Sequence, residues 1–123
     1  ITSVLKYSIN NVIWAGFYLF DEQRNELVLG PFQGKLACTR IGFGNGVCGT
    51  AIEKRESVVV DDVEKFPGHI FCDSTSRSEI VIPIISGDTI KGVLDLDSDI
   101  VRNFDEEDKK YLEQIINKIN HLI

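Results

Sequence analysis

Residues 79–97 read EIVIPIISGDTIKGVLDLD. Two apolar arms, 79–85 and 89–97, flank Ser86-Gly87-Asp88, a pattern that predicts a β-hairpin. The second arm closes on Leu94-Asp95-Leu96-Asp97. Side chains alternate along a strand, so both aspartates share one face and both leucines the other. Most Asp-x-Asp runs on strands line a solvated sheet face. Here two acids on one face repel each other, and Asp is a poor strand former. Glu79 opens the other arm and is a candidate for the same side.

The chain around this hairpin is legible in both directions. Beyond it, Asp105 is placed to cap a helix whose first turn, Glu106-Glu107-Asp108, suits the positive end of the helix dipole. Leu112, Ile115, Ile116, Ile119, Leu122 and Ile123 form one apolar stripe at helical spacing. Before the hairpin, residues 63–77 form a long polar segment without periodicity, and long loops in compact domains are usually functional. Val58-Val59-Val60 is a short strand, and residues 47–54 form a short helix entered through Gly42, Gly44 and Gly46. Strands are expected at 12–20, at 26–29 and at about 36–41, with breaks at Gly30-Pro31 and Gly34. Residues 1–9 read as a helix ending at Asn10-Asn11. The order predicts an α+β fold: a mainly antiparallel sheet of about six strands, with helices on one face.

With 123 residues and no linker or repeat, the chain reads as one domain over 1–123. A composition of 43% hydrophobic and 26% charged residues belongs to an ordinary globular protein. A net charge of −6 repels phosphate backbones and argues against nucleic-acid binding. No window holds the ~18 apolar residues of a membrane span, and no signal peptide is expected. The absence of Met makes Ile1 a trimmed start, inside an apparent helix. Three cysteines, an odd number, argue against a fully paired secreted framework.

The cysteines are the first chemical candidates. No CxxC occurs. A Cys₃His zinc site using His69 has the right ligand types, but the ligands are scattered singly, against the habit of structural zinc. Cys48, between Val47 and Gly49, suits a packed helix face. Cys38, on an expected strand, suits either packing or chemistry. Cys72 sits in the polar loop three residues after His69, where an accessible thiolate can act as nucleophile. Its neighbour Asp73 would raise its pKa. The acids Glu79, Asp95 and Asp97, with Asp61 as a further candidate, could surround a cationic amino group, and one with a raised pKa could donate a proton. Trp14 and Tyr18 share a strand face with Gly16 between them, which suggests a shallow apolar pocket. The 42–46 glycines are a weak phosphate signal and do not fit the P-loop pattern.

Five blocks in order then carry a resemblance: Asn11-Val12-Ile13-Trp14-Ala15-Gly16-Phe17-Tyr18, Leu29-Gly30-Pro31-Phe32-Gln33-Gly34, Gly46-Val47-Cys48-Gly49-Thr50-Ala51, Gly68-His69-Ile70-Phe71-Cys72-Asp73 and Gly92-Val93-Leu94-Asp95-Leu96-Asp97. Together they resemble the free methionine-(R)-sulfoxide reductases, over about residues 10 to 120. The resemblance implies a single GAF domain, with N- and C-terminal helices on one face and with part of the family's N-terminal helix missing. It implies that Cys72 is catalytic, Cys38 resolving and Cys48 auxiliary or structural. Glu79, Asp95 and Asp97 match the acids around the substrate, and Trp14 and Tyr18 match pocket aromatics, Trp14 facing the S-methyl group.

The implied reaction is attack of Cys72 on free methionine sulfoxide, closure of a Cys38–Cys72 disulfide and recycling by a thioredoxin-like reductant. Neither a cofactor nor a metal is implied. A transient disulfide suits a reducing cytoplasm. The apolar stripe on the last helix is compatible with a homodimer or with packing on its own sheet. The alternative is a non-catalytic GAF module sensing a cyclic nucleotide or another small ligand, but such a pocket needs neither three cysteines nor Asp95 and Asp97. Bilin attachment is weaker, since Cys72 is followed by Asp and not His. A purely structural dimerisation module leaves the 66–77 loop without a role.

Overall fold

The structure, a computed structural model, describes residues 1–70, Cys72 and residues 74–123. Phe71 of the fourth sequence block and Asp73, expected to raise the Cys72 pKa, lie outside the described residues. The hairpin lies in the interior of the sheet, one strand from its edge. Strands β5 (Ser78–Ser86) and β6 (Thr89–Ser98) pair antiparallel, with Glu79 opposite Asp97 and Val81 opposite Asp95. Beyond β6 lie β1 (Val12–Asp21), β2 (Glu26–Gln33) and the short β3 (Arg40–Gly42), and β4 (Val58–Val60) flanks β5. Among the described residues the order is β3-β2-β1-β6-β5-β4, each neighbouring pair antiparallel.

Strand alternation sorts the side chains into two cores. On one face Ala15, Phe17, Ile80, Ile82, Ile84, Leu94 and Leu96 pack with Leu5, Leu112 and Ile116. These last three come from α1 (Thr2–Ser8) and α3 (Glu106–Ile119), so the terminal helices share a face as expected. On the other face Trp14, Tyr18, Val81 and Val93 pack with Val47, Cys48, Ala51 and Ile52. Those belong to α2 (Gly46–Lys54), so the inserted helix lies opposite the terminal pair. Asp105 and Asp108 form a reciprocal capping box at the start of α3. Leu112 and Ile116 are buried and Ile115 and Ile119 pack on the core, whereas Leu122, past the helix end, is exposed.

Two expectations are corrected. Gly30-Pro31 does not end β2, because Gly16 faces Phe32 while Tyr18 faces Leu29. Two residues there oppose Phe17 alone, a β-bulge, and a bulge tolerates a proline that has no N–H for the ladder. Residues 36–39 are not strand: β3 starts at Arg40, and the preceding segment crosses towards the second core. Cys38 is therefore a loop residue, held where the backbone need not follow the sheet. The glycines at 42–46 have a packing role. Their segment spends its N–H groups internally, Phe43 N on Asn25 O, Gly44 N on Gly49 O and Asn45 N on Gly42 O. Gly49 of α2 lies against this backbone so closely that a Cβ would meet Gly42 O at 2.5 Å. The glycines thus pack a helix onto a loop.

Candidate active site

The acids come together because β5 and β6 share one register. Glu79, Asp95 and Asp97 all point to the face that carries α2, while Leu94 and Leu96 fill the opposite core. That face is covered, not solvated: Glu79 is 6% exposed and Asp95 5%. Over them lies a small cavity of about 30 Å³. Tyr18 lines it from β1, Gly46, Val47 and Cys48 from α2, and Ile41 from β3. The loop between the 3₁₀ turn Val63–Lys65 and β5 contributes His69, Ile70, Cys72 and Ser76.

A disulfide joins Cys38 to Cys72 at this cavity, with the two Cα atoms 5.1 Å apart. It ties the 34–39 segment to the 66–77 loop. Cys48 is the free thiol, buried, its Sγ 4.0 Å from Glu79 Oε2. Two aromatics on β1 anchor the segment that carries Cys38: Trp14 Nε1 donates to Lys35 O at 2.9 Å, and Tyr18 OH to Cys38 O at 3.0 Å. On the other side, His69 Nε2 lies 3.3 Å from Glu79 Oε1, and Ser76 Oγ donates to Asp97 Oδ1 at 3.3 Å.

Burial sets the electrostatics. It pushes Glu79 up to about 8, with the neighbouring Asp97 charge adding to the shift. Burial also lifts Asp95 well above the carboxylate range, with Glu79 next in effect. The Cys48 thiol is raised by burial and then by Asp95, and Tyr18 likewise. Burial lowers His69. At neutral pH the His69–Glu79 contact is therefore a hydrogen bond between neutral groups. Asp95 Oδ1 is buried without a hydrogen-bond partner. The donor atoms of Cys48, Glu79 and Asp95 lie within 4.8 Å of one another. This is where a cation would sit, an ammonium group or a metal ion, and it would stabilise the ionised acids. With Cys38 and Cys72 bonded to each other, the four ligands of the Cys₃His idea are not assembled.

The structure gathers most of the sequence candidates: Cys38, Cys72, Cys48, Tyr18, Glu79, Asp95 and Asp97 meet at one cavity. Two do not join them. Asp61 is exposed just past β4, beside a separate surface hollow with Lys65 and Arg102. Alternation turns Val60 into the core and leaves Asp61 at the edge. Trp14 is buried behind the cavity wall, stacked on Phe32 with centroids 5.6 Å apart and on Tyr18 at 5.9 Å. The shallow pocket expected over Gly16 is filled by the Trp14 ring, which a Cβ at Gly16 would strike. Ser76 and the His69–Glu79 contact were missed. His69 stands three residues before Cys72 in the fourth block, and that proximity was the available signal.

A GAF domain family model matches residues 3–123. The free methionine-R-sulfoxide reductase of Escherichia coli (strain K12) is 46% identical over 99% of this chain and 73% of its own length. The Saccharomyces cerevisiae protein of the same name is 51% identical, over 89% of this chain and 62% of its own. An X-ray structure of free methionine-R-sulfoxide reductase from Neisseria meningitidis in complex with its substrate superposes with a TM-score of 0.94 at 51% identity, covering 98% of this chain and 71% of that one. The chain belongs to the GAF domain family and, within it, to the free methionine-R-sulfoxide reductases.

Proposed function

We propose that this chain, as a single GAF domain, reduces free methionine-R-sulfoxide to methionine. The observation that carries this is the Cys38–Cys72 disulfide at the cavity that holds Glu79, Asp95 and Asp97. In the reduced form the Cys72 thiolate attacks the sulfoxide sulfur while a neutral carboxyl, Glu79, gives its proton to the sulfoxide oxygen. Methionine leaves and the oxygen stays on Cys72 as sulfenic acid. The Cys38 thiol attacks that sulfur, water leaves and the disulfide forms. A thioredoxin-like dithiol returns it to two thiols by exchange.

Asp95 and Asp97 pair with the substrate's free ammonium, which a peptide-bound residue lacks, and Tyr18 closes the apolar wall. Trp14 stands behind that wall and acts through Tyr18 and the 34–39 segment. Cys48, buried with a raised pKa, stays a thiol and serves packing. No helix among the described residues is long and apolar enough to cross a membrane, and the cycle belongs to a reducing compartment such as the cytoplasm. A homodimer would cover the apolar hollow bordered by Phe17, Leu19, Ile119 and Leu122.

The test is NADPH consumption with thioredoxin and its reductase on the R and S epimers of free methionine sulfoxide. Turnover confined to R, lost in Cys72→Ser, supports the assignment. Full turnover in Cys72→Ser sinks it.

A further inference from the structure

The proposed reaction leaves His69 without a role, although its side chain is only 5% exposed and faces the carboxyl expected to supply the proton. We propose that His69 is a positioning residue: its Nε2–H donates to Glu79 Oε1, which keeps the carboxyl proton on Oε2, the oxygen on the Cys48 side. This rests on the proposed reductase reading and deepens it.

The geometry supports this tautomer. A neutral carboxyl has one proton and two oxygens, and a donor at one oxygen leaves the proton to the other. Oε1 is the oxygen at 3.3 Å from the His69 nitrogen, whereas Oε2 accepts from the Cys48 thiol at 4.0 Å, a weak sulfur donor that a protonated oxygen still accommodates. The groups that face Glu79 are Tyr18 from β1, Cys48 from α2, Asp95 and Asp97 from β6 and His69 from the loop. Tyr18 and Cys48 hold their protons, Asp97 opposes ionisation of Glu79 by like charge, and a hydrogen bond with Asp95 favours it. Beside Asp95 and the weak sulfur donor of Cys48, His69 adds the nitrogen donor, at Oε1, that stabilises the Glu79 carboxylate as its proton leaves.

The chemistry balances. Oε2–H passes its proton to the sulfoxide oxygen as the Cys72 thiolate attacks sulfur. The oxygen and that proton end on Cys72 as S–OH, and methionine departs as the thioether. Glu79, now a carboxylate held by His69 Nε2–H, regains a proton from solvent, equal to the one lost when Cys72 ionised. Without the His69 donor the carboxylate is less stable, so Glu79 becomes a weaker acid.

The experiment is a single turnover of reduced enzyme without external reductant, with methionine release followed by quenched flow from about pH 6 to pH 10. His69→Leu removes the donor at similar volume, whereas His69→Gln retains an N–H donor. Expected is release slowed about tenfold or more in His69→Leu, its alkaline limb moved to higher pH, with both largely restored in His69→Gln. Substrate affinity changes little, because His69 acts on the acid. Wild-type rate and profile in His69→Leu, or equal loss in both variants, overturns the proposal. ¹⁵N NMR of His69 in the wild type decides the tautomer should His69→Leu fail to fold. A protonated Nε2 is expected, and an unprotonated one overturns the assignment. Wild-type enzyme that releases no methionine defeats the reductase reading itself, and the role of His69 with it.

Discussion

Glu79 and Asp97 stand directly opposite each other on β5 and β6, and the loop that carries Cys72 holds both of them. His69, before Cys72, contacts Glu79, and Ser76, after it, donates to Asp97. The nucleophile's loop is thus fastened on either flank to the acids it works beside. The disulfide to Cys38 ties the same loop to the segment that Trp14 and Tyr18 anchor.

Stability should fall as pH rises. Folded Glu79 keeps its proton to about pH 8, whereas an unfolded glutamate loses it near pH 4.3, about 1.4 kcal/mol for each unit of difference. The folded state therefore binds more protons across that window. Its advantage is complete below about pH 4.3 and lost as pH passes about 8. Asp95 acts in the same direction. The Tm of the substrate-free protein should drop between about pH 5 and pH 9, and Glu79→Gln should flatten the slope. A wild-type Tm that rises over this range would contradict the buried, protonated acid.

The cysteine roles separate by stoichiometry. Cys38→Ser should release one methionine per enzyme and then stop with thioredoxin, because the Cys72 sulfenic acid has no partner. Cys48→Ala should keep multiple turnover and the 38–72 disulfide. Quantifying methionine per active site, with non-reducing peptide mapping, distinguishes them. Continued thioredoxin-driven turnover in Cys38→Ser would remove it as the resolving residue.

Asp61 and Asp95 should behave oppositely. Asp61 is exposed and outside the cavity, so Asp61→Asn should leave kcat/KM unchanged and stability within about 0.5 kcal/mol. Asp95 is buried with an unpartnered oxygen, so Asp95→Asn should raise KM for the free amino acid by about tenfold or more. A large kinetic effect at Asp61 would mean that the substrate sits elsewhere.

The Trp14–Gly16 contact predicts a packing cost far from the sulfur. Gly16→Ala places a Cβ into the Trp14 ring and should cost about 1–3 kcal/mol. Trp14→Phe strips the donor from Lys35 O, at about 1–3 kcal/mol. Both should slow disulfide closure more than methionine release, since the anchored segment carries Cys38. Denaturant melts and stopped-flow detection of thiol loss measure the two effects.

Residues 79–97 by themselves determined the hairpin, its register of leucines in and aspartates across, and the company of Glu79. Period-two alternation is a local property of the backbone, so it can be read along the chain. The helix cap at Asp105 and the packing of Cys48 are local in the same way. The five blocks were enough to place the chain in its family.

What the chain could not say locally was decided by contacts between distant segments. Asp61 and Asp95 look alike in sequence, yet one lies on an exposed edge and the other under α2. Residues 36–39 of the strand expected at about 36–41 yield to a loop because Trp14, Tyr18 and Cys72 hold them away from the sheet. The Trp14 ring fills the space over Gly16. The elevated pKa of Glu79 comes from burial and from Asp97 across the ladder, and its contact with His69 comes from a loop that folds back over the sheet. Burial and charge proximity are properties of three-dimensional packing, and they turn a pattern of acids on a strand into a site able to hold a proton.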